Sequence, residues 1–300
     1  MRLYIFLLLV HSICFSYQLG TNDTLGRIKI LDVKELRFET KNSIEFKGVS
    51  ALAYDENMGL FALSDFGYLY HLRLQVNKKS ISSIKLINAY ALRNKKNKIL
   101  KKKKRDAEGM VLIPEGLLIS FERKPKVSLF DFEGKKIKNM DIASDLEDIN
   151  NYQKKNRALE SLVYHPDFGL ITAPELPLRK ASKEYHTLYA KNRQWKFKRR
   201  YKITAMEVMP NKNLLVLERN FSFLQGHSIS LSRVDISDCE NRICPNENLA
   251  VFQSRNGWNL DNFEGLTHLQ GNQYLMISDD NNSLFQKTLM VLFEIKHDKM

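Results

Sequence analysis

The chain repeats itself, and the repeat limits what it can fold into. Five segments share one order: a polar or acidic residue often followed by Gly, an apolar run, a turn, a second apolar run, then a polar or acidic pair. They run from Lys47-Gly48 to Ser64-Asp65, from Glu108-Gly109 to Phe121-Glu122, and from Glu160-Ser161 to Pro174-Glu175. The last two run from Glu207 to Glu218-Arg219 and from Glu264-Gly265 to Ser278-Asp279-Asp280. The starts at 47, 108, 160, 207 and 264 are 61, 52, 47 and 57 residues apart. A period of roughly 50 with several short strands per unit is the signature of a propeller, because one such unit cannot bury its own apolar face and must stack on copies of itself.

Each pair of runs is followed by a third: Tyr68 to Leu74, Val127 to Phe132, His186 to Ala190, Ser228 to Ile236 and Thr288 to Ile295. A fourth follows in every unit but the last, where the chain ends. The third unit's fourth run is WKFKRRYKI. Arg27 to Phe38 is a strand with no unit of its own, suited to supply the missing outer strand and close the ring. The expectation is an all-β protein: one β-propeller of five or six blades of four antiparallel strands over residues 20–296, closed by the N-terminal strand. Little helix is readable beyond one short segment between Ala143 and Tyr152.

Residues 1–16 read as a secretory signal peptide. Met1-Arg2 precedes the apolar run Leu3 to Val10, and Cys14-Phe15-Ser16 offers small residues at a cleavage point. The run is too short for a membrane span, which needs roughly 20 apolar residues. The expected location is periplasmic or secreted. Cys239 and Cys244 then remain, and two cysteines in an exported chain point to one disulfide closing a small loop.

The net charge of +13 is concentrated. Asn94 to Arg105 holds eight basic residues and no acid, and Lys191 to Lys202 holds seven and no acid. Without these windows the remainder is slightly acidic. Trp195, Phe197 and Tyr201 interleave the second window, a pattern compatible with nucleic-acid stacking. In an exported propeller the simpler reading is a solvated loop and an outer strand, with no nucleic-acid partner expected. The alternative that the charge leaves open is an anionic partner, such as a membrane surface, polyphosphate or another anionic small molecule.

Propeller geometry brings the start of each first strand and the end of each second strand to one face, beside the central channel. The starts are Glu108, Glu160, Glu207 and Glu264. The ends are Asp65, Glu122, Glu175, Glu218, Asp279 and Asp280. Carboxylates converging on one mouth repel unless cations intervene. Calcium, a hard cation taking 6–8 oxygen ligands, is one remedy. Lys47, Arg105, Arg123, Arg157 and Arg219 are another, by pairing with carboxylates or clamping a phosphate. Repeated polar residues also serve to lock blades together, and that alternative stays open. No Gly-x-Ser-x-Gly elbow occurs, and the histidines show no metal-ligand spacing.

Asp261-Asn262-Phe263-Glu264-Gly265-Leu266, followed by Ser278-Asp279-Asp280-Asn281, Gln286, Thr288 and Phe293-Glu294, resembles the C-terminal signature of the phytase-like family, "esterase-like activity of phytase". The segment from Gly48 to Asp55 with Leu63-Ser64-Asp65 resembles its first repeat. Asp106-Ala107-Glu108-Gly109 and Leu215 to Arg219 resemble its second and fourth. The resemblance implies a propeller, export and calcium-dependent hydrolysis of phosphoric esters. In that reading Glu108, Glu160, Glu207 and Glu264 hold metal or act as base, and Asp65, Glu122, Glu175, Glu218, Asp279 and Asp280 complete the metal shell. Arg105, Arg123, Arg157 and Arg219 hold the phosphate. The alternative is a non-catalytic propeller binding an anionic ligand or cell-envelope partner.

Overall fold

A computed structural model describes residues 17–101, 104–256, 258–280 and 286–296. The expected leader at 1–16 lies outside the described residues, as do Lys102, Lys103 and Asn281 of the motifs above. Five antiparallel sheets stand around one axis. Blade one is Val49–Asp55, Gly59–Ser64, Tyr68–Asn77 and Ser80–Ala91. Blade two is Ala107–Ile113, Gly116–Phe121, Lys126–Phe130 and Lys136–Met140. Blade three is Leu159–His165, Gly169–Pro174, Tyr185–Ala190 and Arg193–Lys198. Blade four is Lys202–Val208, Leu214–Ser222, Gly226–Val234 and Asn246–Gln253.

Blade five joins both ends of the chain. Asn262–Gln270, Gln273–Asp279 and Leu289–Ile295 take Ile28–Glu35 as their outer strand. The pairing is antiparallel from Leu289 opposite Glu35 to Ile295 opposite Ile28, so the N-terminal strand closes the ring as expected. Asp32 fastens the closure sideways: its carboxylate accepts from the backbone N–H of Ile81 in the outer strand of blade one at 2.8 Å.

The apolar core is divided into layers between neighbouring blades. Leu31, Leu52, Tyr70 and Leu292 fill the layer between blades five and one. Ala53, Phe61, Leu117 and Phe130 fill the next, between blades one and two. Val163, Trp195, Phe197 and Val216 fill that between blades three and four. Trp195 and Phe197 are therefore buried, while Lys196 and Lys198 of the same strand point the other way. Strand alternation accounts for the aromatic interleaving of the second basic window, and these rings are not available to stack on bases.

Cys239 and Cys244 form a disulfide, Cα–Cα 4.0 Å, in the turn between the third and outer strands of blade four. This is the end remote from the channel mouth. The backbone of the same turn bonds Lys196 in blade three, so it also ties two blades together. The segment from Ala143 to Tyr152 holds two 3-10 turns, Ser144–Leu146 and Ile149–Asn151.

Closure makes the fold cooperative, and Ile30 is fully buried in the closing strand. Ile30→Ala should cost about 2–4 kcal/mol, the usual range for a buried large-to-small change. In urea unfolding, the whole β signal should shift to a lower midpoint as one transition. Loss of blade five ahead of the others would show that the ring does not depend on this strand.

Candidate functional site

The five innermost strands share a bulge near their starts. Register slips between Val49 and Ala51, Ala107 and Met110, Leu159 and Ser161, Ile203 and Ala205, and Phe263 and Gly265. The residues placed there are Ser50, Glu108, Glu160, Thr204 and Glu264. Each is followed by a small residue: Ala51, Gly109, Ser161, Ala205 and Gly265. Close packing of the inner strands is the reason. A Cβ on Gly109 would lie 3.0 Å from the backbone oxygen of Glu160 in the next blade, and one on Gly265 would lie 3.2 Å from the backbone of Ala51. The strands enclose a channel lined by Ser50, Glu108, Glu160, Thr204 and Glu264 with only about 10 Å³ of space, enough for one water or a bare cation.

Glu207 does not belong to this layer. Its strand begins at Lys202, so Glu207 sits near the opposite end, where it accepts from the N–H of Val208 and of His268. Burial raises its pKa to about 7, partly offset by those bonds. Part of what reads as the third unit's outer strand, the segment from Lys202, is the first strand of blade four. The residues Asp65, Glu122, Glu175, Arg219 and Asp279, where the second strands reach the mouth, lie 14 or 15 positions after the bulge residue, a spacing that in blade four points to Thr204. Ser50 and Thr204 lock the ring, donating to the carbonyls of Ala107 at 2.8 Å and Phe263 at 3.2 Å in adjoining blades.

A second layer lies where the second strands reach the mouth: Asp65, Glu122, Glu175, Arg219 and Asp279. Glu218 lies one residue short of it and is fully buried away from the funnel. Its Oε1 accepts from the N–H of Arg200 and of Tyr201, both at 2.9 Å, and from His186 Nε2 at 3.2 Å. Burial pushes its pKa up, but His186 and the two amides outweigh this and hold it below the ordinary value. Glu218 thus caps the chain entering blade four and does not line the funnel with the other strand-end residues. Asp280 is also drawn into the framework, accepting from Gly48 N–H and Thr288 Oγ1. Asp279 lies within 3.5 Å of Asn262 Nδ2.

Cations settle on part of this ring. Arg219 pairs with Glu264 at 3.0 Å, and Asn262 donates to the same carboxylate at 2.7 Å. Arg157 and Lys202 approach Glu175 at 3.3 and 3.4 Å. Arg123 pairs with Asp106. Arg105 lies over the Tyr68 ring of blade one instead, and Lys47 pairs with Glu45. Among the described residues Asp65, Glu108, Glu122 and Glu160 have no ion-pair partner. Oδ1 of Asp65 and Oε2 of Glu160 are buried without a hydrogen bond.

The uncompensated carboxyls resist ionisation. Burial, then Asp279 and Asp106, raises Asp65 to about 7. Burial, then Asp106 and Glu175, raises Glu122 to about 8. Burial and neighbouring carboxylates push Glu108 and Glu160 well above the ordinary range. Glu264 is raised by burial despite Arg219.

Asp106, Glu108 and Glu122 each bring a carboxylate oxygen within 4.8 Å of the others. Oxygens bound 2.3–2.6 Å from one calcium ion can lie up to about 5 Å apart, so this all-oxygen set fits a hard divalent cation. Asp106 is absent from the sequence-derived ligand set. The signal for it is its place two residues before the bulge glutamate, at the level of Gly48, Ala158, Lys202 and Asn262 in the other blades.

Fold and site together define a five-bladed propeller with an acidic channel mouth. The chain matches the phytase-like family, "esterase-like activity of phytase", over residues 44–282 and belongs to it. No curated protein matches it. Among solved structures it is similar to the PQQ-bound form of an aldose sugar dehydrogenase from Streptomyces coelicolor, with a TM-score of 0.46 and 8% identity over 88% of this chain and 98% of that one. It is also similar to YCF48 from Cyanidioschyzon merolae, with a TM-score of 0.38 and 8% identity over 89% and 99% of the two chains. Likenesses this distant say nothing about chemistry.

The raised carboxyls give a signed pH dependence. Their folded pKa values exceed the unfolded ones, so in metal-free protein their contribution to stability is fully present below about pH 4 and is lost as pH rises through about 7 and 8. In the presence of a chelator the thermal midpoint should fall from about pH 5 to about pH 8, and Glu122→Gln should flatten the fall. An identical slope in parent and variant would remove Glu122 from the account.

Proposed function

We propose that the chain is an exported, calcium-dependent phosphoric ester hydrolase whose site is the mouth of the propeller at blade two. The approach of Asp106, Glu108 and Glu122 to within 4.8 Å, with Arg123 as the one paired cation, carries this reading. Three carboxylates with one arginine leave an excess negative charge that a divalent cation would balance. Family membership supports it. The Cys239–Cys244 disulfide supports export, since such bonds persist in oxidising compartments.

The channel itself is too narrow for an ester, so the substrate phosphate meets the protein at the rim. Arg123, whose side chain is 59% exposed beside Asp106, is placed to hold phosphate oxygens with its guanidinium fork. Burial and neighbouring carboxylates push Glu160 well above the ordinary carboxylate range, which makes it the candidate to protonate a leaving oxygen, whereas Glu108 gives up its proton when it joins the cation's shell. Arg219 holds Glu264 and Arg157 holds Glu175, which keeps both pairs structural. A calcium ion bound by Asp106, Glu108 and Glu122 would supply Lewis-acid polarisation of a phosphoryl oxygen.

Calorimetric titration of calcium into metal-free protein, followed by a phosphomonoester assay, tests this. Saturating calcium at about 100 times its dissociation constant should stabilise the protein by about 2.7 kcal/mol. Glu122→Gln and Asp106→Asn should abolish most of that gain and the turnover, whereas Glu264→Gln should retain the calcium response. Binding without turnover would leave a non-catalytic module for an anionic ligand. A melting temperature indifferent to calcium and to chelator would refute the site.

A further inference from the structure

Blade four carries a feature that neither the fold nor the funnel uses. The hairpin between its second and third strands runs through Asn220, Phe221, Ser222, Phe223, Leu224, Gln225 and Gly226. Its second strand passes the channel mouth at Arg219 and continues to Ser222, so the tip projects on the funnel face by about 10 Å at roughly 3.3 Å per residue. Phe223 is 96% exposed and Leu224 92% exposed. Neither belongs to any of the five core layers. The tip is a closed turn: Gln225 N–H lies 3.3 Å from the Ser222 carbonyl and 3.1 Å from Ser222 Oγ. Phe221 packs on His227 across the hairpin, ring centroids 4.8 Å apart, which stiffens its base. Turn tips ordinarily carry Gly, Asn, Asp or Ser, so two large apolar residues here cost solubility and gain nothing in packing.

The surroundings of this tip are basic. The turn Ser254–Asn256 lies against it, with the Ser254 Cβ 2.7 Å from where a Cβ on Gly226 would be, and Arg255 in that turn is exposed. Arg200, also exposed, lies in the connection entering blade four. Across the ring, the hairpin between the second and third strands of blade two presents exposed Lys124 on the same face, and the long connection from blade one to blade two carries exposed Lys101 and Lys104.

We propose that the funnel face docks on an anionic lipid bilayer, with Phe223 and Leu224 entering the interfacial layer and the basic loops lying on the headgroups. An interfacial anchor buries its apolar side about 5–10 Å deep, which matches the projection of this hairpin. Each Lys or Arg held near an anionic surface adds to the attraction. A protein partner fits less well. Two side chains of this size offer on the order of 400 Å² at most, against about 800 Å² per partner in a stable interface. The proposal does not depend on the cation site.

Co-sedimentation of the purified protein with large vesicles tests it, in the presence of a chelator so that calcium cannot bridge lipid and protein. Vesicles of phosphatidylcholine with about a quarter phosphatidylglycerol should carry the protein down at low salt, and pure phosphatidylcholine should carry much less. Raising the salt to about 0.5 M should release most of it. The double variant Phe223→Ser/Leu224→Ser should bind the anionic vesicles about tenfold more weakly or worse, with an unchanged melting temperature because neither side chain packs on the core. Leu224→Trp should show a blue-shifted emission with anionic vesicles alone. Failure to sediment with anionic vesicles, or equal binding by the double variant, overturns the proposal. So does a dimer that the double variant dissociates while vesicles have no effect, because that outcome assigns the tip to a second copy.

Discussion

Everything in this molecule depends on the pairing of Ile28–Glu35 with Leu289–Ile295. A propeller blade is stable only when both its faces are covered, and a ring covers every face without leaving a terminal blade. Joining the chain ends inside one sheet makes opening the ring cost a full ladder of hydrogen bonds and the apolar layer on each side. Asp32 adds a tie from the closing strand to the neighbouring blade. Closure also fixes how near the five innermost strands come, and that distance decides the chemistry of the mouth.

At that distance one structural position has two outcomes. In blades one and four the bulge residue is a hydroxyl, and Ser50 and Thr204 use it to lock the adjoining blade. In blades two, three and five it is a glutamate. Only that of blade five receives an arginine, from the place in the second layer where the other blades carry a carboxylate. The ring is therefore asymmetric in charge: Arg219 pairs with Glu264, and Arg157 and Lys202 with Glu175, while among the described residues Asp65, Glu108, Glu122 and Glu160 of blades one to three have no ion-pair partner. Burying carboxyls without partners is costly. A fold that needed only locking would be better served by five hydroxyls, which is why the acidic side reads as a functional site.

Much of the architecture was legible in the chain. The repeat near 50 residues named the propeller, the truncated fifth unit and the orphan strand at Arg27 to Phe38 named the closure, and Cys239 with Cys244 named the disulfide. Those readings rest on periodicity and on the pairing capacity of strands, which are properties of the sequence. Glu108, Glu160 and Glu264 were legible for the same reason, since each opens a strand after a turn. Glu207 misled because it precedes an apolar run just as they do. Only the register of Ile203 with Glu218 shows that the strand began earlier and that Thr204 is the equivalent residue.

By itself, then, the sequence determined the order of strands within each visible unit and the face on which polar residues gather, because alternation and turn spacing are local; that the ring closes with five blades and not six came from the sheets themselves. The tertiary structure alone decided which carboxylates meet, which are paired and which are not. Those outcomes depend on distances between residues of different blades. Arg219 reaches Glu264 across 45 positions, Glu218 turns away to cap the Arg200–Tyr201 backbone, and Asp106 joins Glu108 and Glu122 within 4.8 Å. Electrostatic energy falls with distance and rises with burial, and neither quantity exists until the ring has closed.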